Sequence, residues 1–121
     1  NAYAWEALGC ARFRTGNLKL ARDCLMQSLD IFPENPSSLR NLGILHGMEG
    51  RHDEGLRLLQ QSMRLSPGDY KTLYALNFAF RDFGKQEERI KILNRLSELE
   101  LPDAIRRDVE LSRIRVSIGW E

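Results

Sequence analysis

An all-α chain of stacked antiparallel helix hairpins is what this sequence predicts, and three observations predict it. The sequence repeats itself every 34 residues: Leu8, Leu42 and Leu76; Gly16, Gly50 and Gly84; Leu25, Leu59 and Leu93; Ile31, Leu65 and Leu99. Each period holds two apolar runs at helical spacing, divided by the repeated glycine. No stretch alternates apolar and polar residues long enough to make a strand. A fixed period of this length marks a solenoid, whose unit cannot bury its apolar face alone.

In the first period Tyr3, Ala4, Ala7, Leu8 and Ala11 lie one helical turn apart and give a helix over 2–14. Gly16 breaks it, and Asn17 can cap the next. Leu18, Ala21, Leu25 and Leu29 form the stripe of a second helix over 18–31, which Pro33 stops. Asn1, Asn35 and Asp69 each precede a first helix, where a side-chain cap is worth about 1 kcal/mol. Pro36 sits at the first helical position, where its missing N–H costs nothing. The later periods give helices over 36–49, 52–65, 70–83 and 86–99, and a seventh runs over 103–117. The expected organisation is a single domain, 1–121, with repeats at 1–34, 35–68 and 69–101. A start directly on the cap Asn1 reads as a cut at a repeat boundary in a longer repeat protein.

The third period departs most. Asn77 stands where Gly9 and Gly43 stand, Arg89 replaces Ala21 and Gly55, and Leu96 replaces Ser28 and Ser62. Its proline, Pro102, comes one residue later than Pro33 and Pro67, so a one-residue shift of its second helix is expected.

The order Trp5, Leu8, Gly9, Gly16, Ala21, Pro33 within a 34-residue unit resembles the tetratricopeptide repeat. The resemblance covers 1–101, and 103–117 looks like the capping helix that follows a last repeat. It implies a right-handed superhelical stack whose first helices line a concave groove that holds a segment of another protein. Carried onto this sequence, the groove takes Tyr3, Glu6, Cys10, Phe13 and Arg14 from the first repeat. The second supplies Ser37, Arg40, Ile44, Gly47 and Met48, and the third Lys71, Tyr74, Phe78, Arg81 and Asp82. Members of the family that bind chaperone C-termini clamp a carboxylate with Lys and Asn on this face. The equivalent places here hold Glu6 with Cys10, Arg40 with Ile44, and Tyr74 with Phe78. Only Arg40 has the right sign and Glu6 repels an anion, so a carboxylate clamp is not expected. What is expected is an apolar, aromatic-lined groove, with Tyr74 and Phe78 sharing one helix face as its best anchors.

Other classes are weighed against this one. With 18 basic and 17 acidic residues the net charge is +1, which gives no pull toward nucleic acid. No apolar run is long enough to span a membrane, and no signal peptide is present; a cytoplasmic location is expected, with the periplasm left open. Cys10 and Cys24 fit no metal or redox motif and read as small packed thiols. His46 and His52 are the only histidines, adjacent Glu87 and Glu88 point apart, and no nucleophile, phosphate-loop or metal motif occurs. No enzyme, cofactor or metal is therefore expected. Two other functions compete with a scaffold: a self-association module acting through the groove or the last helix, and an escort shielding apolar segments of secretion substrates. The last segment carries two apolar stripes, Ile105, Val109 and Val116, and Leu111, Ile114 and Ile118. One should cover the third hairpin. The other is a self-association patch, a dock for a further repeat, or a second strip buried by the same helix.

Overall fold

The computed structural model describes residues 1–120, and among them it contains seven α-helices and no strand. In order these are α1 (Ala2–Arg14), α2 (Leu18–Ile31), α3 (Pro36–Met48), α4 (His52–Leu65), α5 (Tyr70–Asp82), α6 (Gln86–Ser97) and α7 (Asp103–Ser117). The helices α3 and α5 stop one residue short of the sequence-based limits, because the residue before each turn glycine serves as the C-cap. The helix α6 stops two short: the N–H groups of Glu98 and Leu99 reach back only three residues, to Arg95 O and Leu96 O, which tightens the last turn. It begins in register at Gln86, so the second helix of the third hairpin is not shifted.

The repeated polar residues act as read. Asn1 Oδ1 accepts from the Ala4 N–H at 2.8 Å, Asn17 Oδ1 from Leu20 at 3.2 Å, Asn35 Oδ1 from Ser38 at 3.4 Å and Asp69 Oδ1 from Lys71 at 3.1 Å. Each satisfies a donor that the helix start would otherwise orphan. No side chain caps α4 or α6; Asp53 and Glu54, and Glu87 and Glu88, place negative charge in their first turns instead.

The chain divides into two compact units, one of α1–α4 (Asn1–Pro67) and one of α5–α7 (from Gly68 onward). In the first unit each hairpin closes on small residues. A Cβ on Gly55 would lie 2.7 Å from the carbonyl oxygen of Gly43, and one on Gly43 3.0 Å from the carbonyl oxygen of Gly55. The backbones of α3 and α4 therefore touch. At Gly9 a Cβ would come within 3.1 Å of the Leu25 side chain. Ala21, Leu25, Leu42 and Leu45 form the buried cluster, with Phe13, Leu18, Leu29 and Leu58 packed against it. The two repeated serines are hairpin ties: Ser28 Oγ donates to Ala2 O and Ser62 Oγ to Pro36 O, both at 2.8 Å. The helix α2 lies against α3, where Leu39 and Leu42 are buried, whereas their counterparts Trp5 and Leu8 on α1 are partly exposed.

In the second unit the small residues are gone from both sides of the hairpin. Asn77 and Arg89 take their places, both about 1% exposed, and Arg89 Nε donates to Asn77 Oδ1 at 2.9 Å. A buried, charge-assisted hydrogen bond replaces the close backbone approach, and Leu73, Leu76, Phe80, Ile92, Leu93 and Leu96 complete the apolar interior. The helix α7 buries one of its two stripes, Val109 with Ser112, with Ile105 and Val116 half-buried beside them; Leu111, Ile114 and Ile118 stay exposed.

Candidate functional site

In the first unit the candidate residues divide into those tied down and those presented. Glu6 is half-buried and its Oε2 accepts from Asn35 Nδ2 at 2.9 Å. It belongs to a buried polar knot in which Ser28 Oγ lies 2.9 Å from Ser38 Oγ and 3.4 Å from Asn35 Nδ2. This knot joins the start of α1, the end of α2 and the start of α3, so each polar group lost from water finds a partner. Cys10 is half-buried, with its sulfur 3.2 Å from the Asn41 Nδ2 that donates to it. The other thiol, Cys24, is buried. Phe13 packs against the Leu25–Leu42–Leu45 cluster. Arg40 and Ile44 are half-buried on α3, with Arg40 Nε donating to Asn41 Oδ1 at 3.4 Å. Tyr3 and Met48 are exposed, and Tyr3 meets the ring of Phe32 edge-on at 6.3 Å.

In the second unit four candidates line one face of α5. Lys71 and Arg81 are exposed, and Tyr74 and Phe78 are half-buried. The rings of Tyr74 and Phe78 meet edge to face with centroids 4.9 Å apart, and the Arg81 guanidinium carbon lies 5.0 Å from the centre of the Phe78 ring. Such stacking over a ring is worth about 0.5–1 kcal/mol at an exposed site. The Tyr74 hydroxyl donates to Asp108 Oδ2 of α7 at 2.5 Å. Burial, reinforced by that carboxylate as acceptor and as a negative charge, pushes the Tyr74 phenol up to about 12. Tyr74 is thus fixed at its hydroxyl end while its ring faces Phe78.

The spacing of Tyr74, Phe78 and Arg81 was legible in the sequence, since i, i+4 and i+7 share a face. The partners Asp108, Asn35 and Asn41 were not, because each lies outside the helix whose residue it meets. Among the described residues no group of three His, Cys, Asp or Glu side chains is placed to hold a metal ion. No helix among them is long and apolar enough to cross a membrane.

No family model and no curated protein matches the chain. Solved structures do. The first TPR domain of Spaghetti (RPAP3), bound to the HSP90 peptide SRMEEVD, superposes with a TM-score of 0.83 at 19% identity, over 98% of this chain and 94% of that one. The Sgt2 TPR domain from Aspergillus fumigatus gives a TM-score of 0.80 at 19% identity, over 98% and 80%. An O-GlcNAc transferase mutant from Thermobaculum terrenum gives 0.75 at 27% identity; the match takes in 80% of this chain but only 19% of that enzyme. Seven helices among the described residues, the first six paired through glycine turns and the set matched over nearly its whole length by such domains, give this chain the tetratricopeptide-repeat fold of three hairpins and a capping helix.

Proposed function

We propose that the protein is a non-catalytic adaptor that binds a segment of another protein on the apolar and aromatic faces of its first helices. The observation that carries this reading is the Tyr74–Phe78–Arg81 face of α5. It combines two half-buried rings, a cation stacked on one of them, and a phenol already held by Asp108. Tyr, Phe and Arg are the residue types enriched in interface centres. A face whose side chains are already placed loses less freedom on binding. Lys71 on α5, and Tyr3, Cys10, Arg40, Ile44 and Met48 on α1 and α3, contribute further contacts in this reading. Glu6 contributes by repelling acidic segments, and the three repeats and the last helix work as one module.

The Spaghetti domain is bound to an acidic peptide, SRMEEVD. On this chain the corresponding faces offer Arg40, Lys71 and Arg81 but also Glu6, so we infer a preference for apolar over acidic segments. Capture from native extract, followed by mass spectrometry, tests the reading. A Phe78→Ala, Arg81→Glu variant should retain wild-type helicity and bind the captured partner about 30-fold more weakly, the scale of a lost interface hot spot. The SRMEEVD peptide should show no saturable binding by calorimetry. Saturable binding of that peptide, lost on Arg40→Ala, would refute the apolar preference; partners held equally by variant and wild type would refute the site.

A further inference from the structure

Four residues among those described have positive φ, and all are glycines: Gly16 and Gly50 at 84°, Gly84 at 68° and Gly119 at 74°. The first three lie between the two helices of a hairpin. There the glycine N–H bonds the carbonyl three residues back, and the next N–H reaches back five: Asn17 to Arg12 O, Arg51 to His46 O, Lys85 to Phe80 O. Second helices end otherwise, at Phe32, Ser66 and Glu98, with no positive φ. The end of α7 follows the first-helix form: Gly119 N bonds Val116 O at 3.2 Å and Trp120 N bonds Arg115 O at 2.9 Å. Counted back from its turn glycine, α7 also repeats the first-helix pattern. Leu111 and Ser112 stand where Leu42 and Gly43 stand, and Ile114 where Leu45 stands.

In the first unit Leu42 and Leu45 pack with Ala21 and Leu25, and Leu58 of α4 lies against that seam from the far side of the following turn. In the second unit the corresponding seam between α6 and α7 is an open cleft of about 830 Å³, lined by the apolar Ile90, Leu93, Ile114 and Val116 and also by the charged Glu110 and Arg113. Ile114 is 60% exposed and Ile118 66%. A seat filled by a leucine in one unit is open and mostly apolar in the other, beside a turn of the kind that leads into such a helix.

We propose that the α6–α7 cleft is the seat of one more helix. It is an amphipathic helix of α4's kind, led in by the Gly119 turn and running antiparallel to α7, with a leucine where α4 has Leu58. A second copy offering its own α7 would cover the exposed stripe but would leave the hairpin turn at Gly119 without a role. The test extends the chain beyond Glu121 with the sequence of residues 53–66, which keeps α4's register to its turn. The extended chain should melt roughly 5 °C higher and exchange α7 amide hydrogens at least about tenfold more slowly. In a Trp5→Phe background, Trp120 emission should shift to shorter wavelength. Leu58→Glu within the appended copy, or Ile114→Glu in α7, should cancel these gains. Because Ile114 is exposed, Ile114→Glu without the extension should melt as the wild type does, which separates loss of the seat from loss of the fold. Equal gains with the glutamate controls would overturn the proposal. So would an Ile114-dependent dimer of the 121-residue chain that persists after extension.

Discussion

Tyr74 couples the candidate binding face to the pH of its surroundings. In the unfolded chain its phenol releases a proton near pH 10. In the folded chain, burial and the Asp108 carboxylate hold the proton until about pH 12. The raised folded value means that the contribution is complete below pH 10 and is lost as pH rises toward 12. Melting temperatures measured from pH 9 to 12 should therefore fall less steeply for Tyr74→Phe than for wild type. At neutral pH the same variant should lose about 1 kcal/mol, the usual worth of one hydrogen bond. Parallel pH curves for the two proteins would show that the Tyr74–Asp108 bond does not form. Single residues also mark the limit of what the sequence discloses. Glu6 reads as a surface charge because nothing within its own helix answers it. Its partner, Asn35, is already employed as a cap 29 residues away, and only folding brings the two together.

At the scale of the helix pair, the third hairpin solves the packing problem of the first two by opposite means. Where Gly43 meets Gly55 through backbone contact, Asn77 meets Arg89 through a buried hydrogen bond. Removing either partner alone leaves the other polar group buried without it, at a cost of roughly 1.5–3 kcal/mol. Restoring both small residues together, as Asn77→Gly with Arg89→Ala, should cost less than the sum of the single changes. Urea unfolding should give a coupling of at least about 1 kcal/mol, and strictly additive losses would refute the pairing. The sequence displays both substitutions, but as two independent departures at separate columns of the repeat. Their compensation lies in the geometry between two helices. The turn glycines were legible for the contrary reason: a positive φ is a local demand that no neighbour can relieve.

Over the whole molecule, protection should follow how closely each hairpin is closed. The pair α3 and α4 combines direct backbone contact, the Ser62 tie and a flank covered by α2. The pair α6 and α7 encloses an open cleft and leaves Leu111, Ile114 and Ile118 in solvent. Native-state hydrogen exchange should find the slowest amides in α3 and α4 and the fastest helical ones in α7; a uniform rate in all seven helices would contradict this. The repeat predicted six helices and their order, and the apolar stripes after it a seventh, because periodicity records every apolar stripe. It left open which stripe of α7 would be covered, since two stripes of equal quality differ only in what the neighbouring helix offers. The contact between Gly43 and Gly55 has one more consequence. At that contact the two helices are spaced by main-chain atoms, so no outward side chain takes part in setting the distance there. Arg40, Ile44 and Met48 can then be exchanged over evolutionary time, and a lineage can alter the chemistry of that face while inheriting an unaltered frame.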